Sequence, residues 1–214
     1  MKNGILKSNG YDGVATLAYI GPNDMKLAKA LIAGGSEHRK FLRQIFVSVD
    51  ITAPLYWWKE MDQYKIGTVT DSTSTMHKLT SKPITIDCFE VDDFNPDLVY
   101  YNIPEFAGGP AENTTGMLAD LIIEQLEFLR QKYLETKDKR YWKELIRWLP
   151  ESWLQKRTWT ANYEVLYSIV LQRGHHKLET EWDKGFIHWC TSLPYAKDLI
   201  FYGEEREKIY NLYA

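Results

Sequence analysis

The side chains best suited to chemistry form one continuous stretch, from Ala53-Pro54 to Leu79. An aromatic run, Tyr56-Trp57-Trp58, leads through Gln63-Tyr64-Lys65 into Thr68, Thr70, Asp71, Ser72, Thr73, Ser74 and Thr75. Hydroxyls and one carboxylate at this spacing can serve a polar ligand. The same composition suits a polar edge strand or turn whose hydroxyls satisfy backbone groups, and both readings stand. No G-x-G-x-x-G follows a strand and no P-loop occurs, so a bound nucleotide must be held by other means. The histidines, His38, His77, His175, His176 and His188, form no H-E-x-x-H pair. A structural role at a helix end is preferred for His175 and His176, and no metal site is expected. Cys88 sits between Asp87 and Glu90, which disfavour a thiolate nucleophile. With Cys190 it makes only two cysteines, without C-x-x-C spacing, as suits a reducing compartment.

Regular elements must position these groups. Residues 14–20 read as a short strand closed by Gly21-Pro22, after which Asn23 caps a helix that Gly34-Gly35 stops. Ile45, Val47, Val49 and Ile51 alternate with polar neighbours, a half-buried strand. Thr52 and Pro54 should open a helix running from Leu55 to about Gln63. Between Pro83 and Leu129 there are ten acids and neither Lys nor Arg. The first part of that block, about residues 80–112, is broken by Pro and Gly and reads as an irregular acidic insertion. Leu118, Leu121, Ile122, Leu126 and Leu129 then form the stripe of an amphipathic helix ending near Tyr133. A basic helix follows over Asp138–Trp148. Thr158 is expected to cap a helix carrying Trp159, Leu166, Ile169 and Val170 that ends at Arg173-Gly174, and another runs from about Leu178 to Thr191. Residues 195–214 read as a tail with a short final helix.

Composition narrows the classes. The 214 residues fit a single domain, with 26 basic against 29 acidic side chains. That balance offers no general attraction for nucleic acid or an anionic membrane, and the apolar runs are too short to span a bilayer. A soluble, cytoplasmic protein is the expectation. Eight Trp, fourteen Tyr and eight Phe are more rings than such a core needs. They can fill the core and an oligomer interface, or provide surface for flat ligands.

At the chemistry-bearing stretch the sequence resembles the flavin-dependent thymidylate synthases. Their signature is Arg-His-Arg, seven residues, then Ser, after a strand, an Ala-Pro and a helix. Here Ala53-Pro54 leads to Gln63-Tyr64-Lys65, seven residues intervene, and Thr73 follows. The family also has Leu-Pro, eight residues, Trp-Thr-x-Asn-x-Arg and a later Leu-x-Arg. This chain has Leu149-Pro150, eight residues, Trp159-Thr160-Ala161-Asn162, then Leu171-Gln172-Arg173. The resemblance spans roughly residues 13–79 and 115–200 and leaves the acidic segment and the tail without counterpart.

The resemblance implies an α+β fold, a small sheet flanked by helices with a helical C-terminal third, assembled as a homotetramer. It implies FAD as cofactor, NADPH and methylenetetrahydrofolate as co-substrates, and reductive methylation of dUMP or a related pyrimidine nucleotide. By position, His38, Gln63, Tyr64, Lys65 and Asn162 fall on cofactor contacts. Asp71, Thr73, Thr75 and Arg173 fall on the nucleotide side, with Arg173 and Thr73 in catalytic roles. Several letters differ from the pattern: Gln63, Thr75 and Glu164 replace cations, and Glu60 and Glu164 add anions. Each charge-assisted phosphate contact contributes about 1.5–3 kcal/mol, so two losses weaken binding roughly a hundredfold or more. Arg140, Lys143 and Arg147 are candidate replacements. Two further readings follow from the lost cations: a non-catalytic homologue that binds a nucleotide-like ligand or a protein partner, and a flavin enzyme with a less anionic substrate.

Overall fold

A computed structural model describes residues 19–98 and 114–214. All but the last two residues of the strand expected over residues 14–20, and much of the acidic insertion, lie outside the described residues. In chain order come α1 (Pro22–Ala33), a 3-10 helix (Arg39–Gln44), β1 (Phe46–Pro54), α2 (Leu55–Met61), β2 (Val69–Ser72) and α3 (Thr75–Lys78). After a 3-10 turn at Ile86–Cys88 follow α4 (Thr115–Thr136), α5 (Lys139–Arg147), β3 (Leu154–Asn162) and α6 (Tyr163–Arg173). A π-helix (Glu179–Ile187), α7 (His188–Thr191), α8 (Ala196–Leu199) and α9 (Glu204–Tyr213) complete the chain.

The sheet has the order β1-β3-β2. Ser48 bonds Thr160 at 2.9 Å and Thr158 bonds Asp50 at 2.6 Å, so position rises on β1 as it falls on β3, an antiparallel pair. β1 shows the expected alternation, with Phe46, Ser48, Asp50 and Thr52 exposed and Val47, Val49 and Ile51 half-buried. The strand runs on through Pro54, so that residue occupies the N-cap of α2 in extended conformation, φ −67° and ψ 156°. Thr52 therefore does not cap the helix, and α2 ends at Met61 rather than Gln63. The Ser/Thr-rich stretch contributes β2, an exposed edge strand.

The expectation for residues 158–162 needs the larger correction. Thr158 lies inside β3, and Asn162 is the cap of α6, its Oδ1 accepting the Val165 N–H at 3.1 Å. Trp159 and Ala161 are buried as alternate residues of a strand, not as part of a helical stripe. Residues 195–214 are not a tail either: Leu199, Ile200, Phe201 and Ile209 are buried.

The described chain forms two compact units, one of residues 19–48, 65–69 and 160–214, the other of residues 49–64, 70–98 and 114–159. In the first, Leu166, Ile169, Val170, Trp182, Ile187, Cys190, Ile200 and Phe201 are fully enclosed. A Cβ on Gly174 would stand 2.7 Å from Ile209 Cδ1, so any side chain at the end of α6 would oblige Ile209 of α9 to shift. In the second, Leu79, Ile84, Phe89, Leu126 and Leu145 form the core. The helix expected to end near Tyr133 runs to Thr136, closed by Lys137 at φ 58°. Among the described residues no helix is long and apolar enough to cross a membrane.

Candidate functional site

In the first unit, β3 delivers Asn162 to the start of α6 and Arg173 to its end. The eleven residues between cap and terminus separate them by about 16 Å along one rigid element. Asn162 is 7% exposed, and its amide is covered by the backbone of Gly67, where a Cβ would stand 3.0 Å from Nδ2. Gly67 has φ 78°, a conformation that suits glycine, so chain and side chain fit together here. Lys65, two residues earlier, is exposed and forms no ion pair among the described residues. His38 is exposed at the cap of the 3-10 helix.

Arg173 is half-buried and braced from two sides. Its guanidinium lies 4.9 Å from the Trp182 ring centroid, and Nη1 is 3.2 Å from His176 Nε2. His176 Nδ1 accepts the Leu178 N–H at 3.1 Å. Asp183, 2% exposed, accepts from the Tyr213 hydroxyl at 2.8 Å and from the His176 N–H at 3.4 Å. Burial, followed by the bond to Asp183, pushes the Tyr213 phenol up to about 12. The network joins the end of α6, the π-helix and the last turn of α9.

Glu164, where the resemblance expects a cation, is itself paired. Arg39 Nε donates to both of its carboxylate oxygens at 3.0 Å, with side chains only 19% and 15% exposed. The Arg39 guanidinium lies 4.6 Å from the Tyr167 ring centroid and that of Arg206 3.5 Å, while Arg206 Nε donates to the Tyr167 carbonyl at 2.9 Å. Sequence reasoning missed Arg39, Arg206 and Tyr167, while His176 has the structural place at a helix end expected for it. Arg206 falls in the segment that reads as a tail, and nothing in the residues around His38 marks Arg39 as the partner of Glu164.

In the second unit, Gln63 turns back on its own helix, Nε2 donating to the Lys59 carbonyl at 3.1 Å. Tyr64 is half-buried. Asp71 is exposed on β2 and Thr73 just beyond it. Thr73 is fixed by its backbone: its N–H donates to the Lys156 carbonyl at 2.9 Å and its carbonyl accepts Gln155 Nε2 at 3.1 Å. The side chain of Thr75 lies outside the described residues. Arg157 stands over the Trp58 ring at 4.4 Å and donates to Asp62 at 2.9 Å and 3.1 Å. The candidate replacements Arg140 and Arg147 are bound to Asp138 and Glu144 on their own helix or its cap. An apolar hollow of about 490 Å³ lined by Leu121, Ile122, Leu126, Leu129 and Trp148 runs along α4 and α5. It is lined by residues of the amphipathic stripe and by Pro150, and by none of the candidate cofactor or nucleotide contacts.

Part of the aromatic surplus goes inward, with Trp57, Trp58, Trp159 and Trp182 fully buried, while Tyr19, Phe46, Phe128 and Trp148 are exposed. Cys190 is enclosed, and burial pushes its thiol well above the usual range, which removes it as a nucleophile. No cluster of metal-ligating side chains occurs among the described residues. The residues fit a flavin nucleotide in part. Lys65 and Asn162 offer a cation and an amide, whereas Gln63 and Glu164 present no positive charge to a phosphate.

No family model matches the chain, and no curated protein does. Solved structures do match it. A flavin-dependent thymidylate synthase ThyX from Helicobacter pylori, complexed with FAD and dUMP, shares 14% identity at a TM-score of 0.55 over 85% of this chain and 83% of its own. A second ThyX structure from that organism, with the same ligands, gives 17% identity and a TM-score of 0.55 over 88% and 85%. The UMP/dUMP methylase PolB from Streptomyces cacaoi, bound with 5-Br dUMP, gives 15% identity and 0.55 over 89% and 83%. The fold is therefore α+β of the flavin-dependent thymidylate synthase type, as the two ungapped sequence blocks imply.

Proposed function

We propose that the chain is a flavoprotein of the thymidylate synthase type, binding FAD and a pyrimidine nucleotide, UMP or dUMP. The observation that carries this reading is that Asn162 and Arg173, both matching the resemblance in side chain, cap and end one helix in a fold shared with proteins bound to FAD and dUMP. Lys65 and Asn162 hold the cofactor, which when bound supplies hydride-transfer chemistry. Arg173, oriented by Trp182 and His176, polarises a pyrimidine carbonyl and stabilises the negative charge that gathers on it during reaction. Asp71 and Thr73 position the nucleotide. The reaction is reductive methylation with NADPH and methylenetetrahydrofolate, by a cytoplasmic homotetramer whose subunit acts as one functional domain.

The test is the absorbance spectrum of purified protein after adding FAD and desalting, beside its mass in solution, then NADPH consumption with folate and dUMP or UMP. Flavin retained by a tetramer, with turnover, is the expected result. Protein that neither retains flavin nor consumes NADPH overturns it. A second reading, a non-catalytic homologue, is favoured by one observation: the Glu164 carboxylate and the uncharged Gln63, bonded back to the Lys59 carbonyl, occupy positions where a phosphate would need cations. It requires that flavin bind only after arginine is restored at Gln63, Thr75 and Glu164.

A further inference from the structure

We propose that the trough along α4 and α5, in the second unit, receives the apolar face of a basic amphipathic helix of another protein. Its floor is apolar: the hollow of about 490 Å³ lined by Leu121, Leu126, Leu129 and Trp148 meets a second of about 220 Å³ lined by Phe89, Phe94 and Ile123. Ile122 and Pro150 line both. Leu121 continues along one face of α4 as Met117, four residues before it, and Phe128, seven after, each about half exposed. From Met117 to Phe128 is about 16 Å of helix, the spacing of anchors that seat a helix in a groove. Trp148 is 67% exposed yet fixed, because its Nε1 donates to the Glu144 carboxylate at 3.0 Å. A large ring already held at the edge of an apolar hollow loses little freedom when a partner covers it.

Charge selects the occupant. The stretch from Pro83 to Leu129, which supplies α4 and one wall of the trough, holds ten acids and neither Lys nor Arg. Asp120 and Glu124 are exposed on α4 beside Leu121, and Asp87, Asp92 and Asp93 are exposed in the segment that carries Phe89 and Phe94. Backbone bonds hold that segment to the helix: the Thr115 N–H donates to the Leu98 carbonyl at 2.8 Å and the Gly116 N–H to the Pro96 carbonyl at 2.9 Å. Arg147, next to Trp148, is already bound to Glu144. An apolar floor with an acidic rim complements a helix that sets Lys or Arg beside its apolar stripe. A second copy of this chain suits the face less well, since packing about a two-fold axis at Leu121 would set Asp120 and Glu124 against the same two acids. None of the cofactor or nucleotide contacts of the flavin reading lines the trough, so the two stand or fall separately.

The experiment is a fluorescence-anisotropy titration of the full chain against a labelled Leu/Lys peptide of about 18 residues, five turns of helix with one leucine face. A Leu/Glu peptide of the same pattern serves as the control. Saturable binding of one Leu/Lys peptide per chain is expected, about tenfold or more tighter than the Leu/Glu peptide. Leu121→Lys, at a position 54% exposed, should weaken it about tenfold or more. Asp120→Lys combined with Glu124→Lys should weaken the Leu/Lys peptide and strengthen the Leu/Glu one, a reversal that loss of folding cannot produce. The mass of the chain in solution is measured before and after Leu121→Lys. Absence of saturable binding, equal binding of the two peptides, or undiminished binding by Leu121→Lys overturns the proposal. So does an oligomer that Leu121→Lys dissociates, since the trough would then be an interface between copies.

Discussion

The two units treat their arginines differently. In the second, Arg130, Arg140, Arg147 and Arg157 each end on a carboxylate, that of Glu127, Asp138, Glu144 and Asp62. In the first, Arg39 and Arg206 have one acid between them, and Arg173 is braced by an indole and an imidazole. A guanidinium neutralised by an acid next to it has little left for a ligand. Arg39 and Arg206, stacked on one ring with a single acid between them, carry one positive charge more than that acid offsets. Binding capacity in this molecule is therefore set by how each cation is held more than by how many there are.

Three substitutions break or sharpen that contrast. The largest effect is expected for Tyr167→Ala, which removes the ring beneath Arg39 and Arg206 and leaves a cavity beside Leu166 and Val170. It should cost about 3 kcal/mol in denaturant unfolding. A loss below about 1 kcal/mol would show that the ring does not organise the pair.

Next comes Glu127→Gln, which strands Arg130, a side chain only 10% exposed whose other bond is to the Thr80 carbonyl. About 2 kcal/mol should be lost at neutral pH. The Arg130 guanidinium, ahead of the Ile84 N–H and Gln131, lowers the Glu127 carboxyl from 4.5 to about 2. A lowered folded-state pKa means that its contribution is complete above about pH 4.5 and is lost as pH falls through about 2. Stability measured across that window should therefore slope less in the variant than in the native chain. Equal slopes would remove Glu127 as the cause.

The smallest effect is at Arg147→Gln, whose partner Glu144 is 39% exposed. The change should stay within about 0.5 kcal/mol. A larger loss would mean that charge pairing, not packing, holds the second unit.

What the sequence made legible follows from the range of the interactions. β1 could be read because burial on alternate faces is local, and Asn162 and Arg173 because a spaced motif marks them. Helix α6 was placed four residues early, since Trp159 and Ala161 satisfy a helical stripe as readily as a strand's inner face. The Arg39–Glu164 pair spans 125 positions. No periodicity or spacing rule reaches that far, and the pairing exists only once the 3-10 helix lies against α6. The C-terminal segment misled for the opposite reason: α8 is four residues long and α9 ten, too short for a pattern, yet both bury apolar side chains.

The π-helix at Glu179–Ile187 makes the length of its segment as constraining as its composition. Each wide turn holds more residues than an α-turn, and Gly185 passes so near the Thr180 carbonyl that a Cβ would stand 3.0 Å away. Deleting a single residue there would let part of the ladder close as an ordinary helix and change the register of the turns that carry Asp183, Phe186 and Ile187. Those side chains are buried, Asp183 on the Tyr213 hydroxyl, so their placement depends on the number of residues in the segment as well as on their kinds. A substitution in this segment can be absorbed locally; a deletion rewrites which residues are inside.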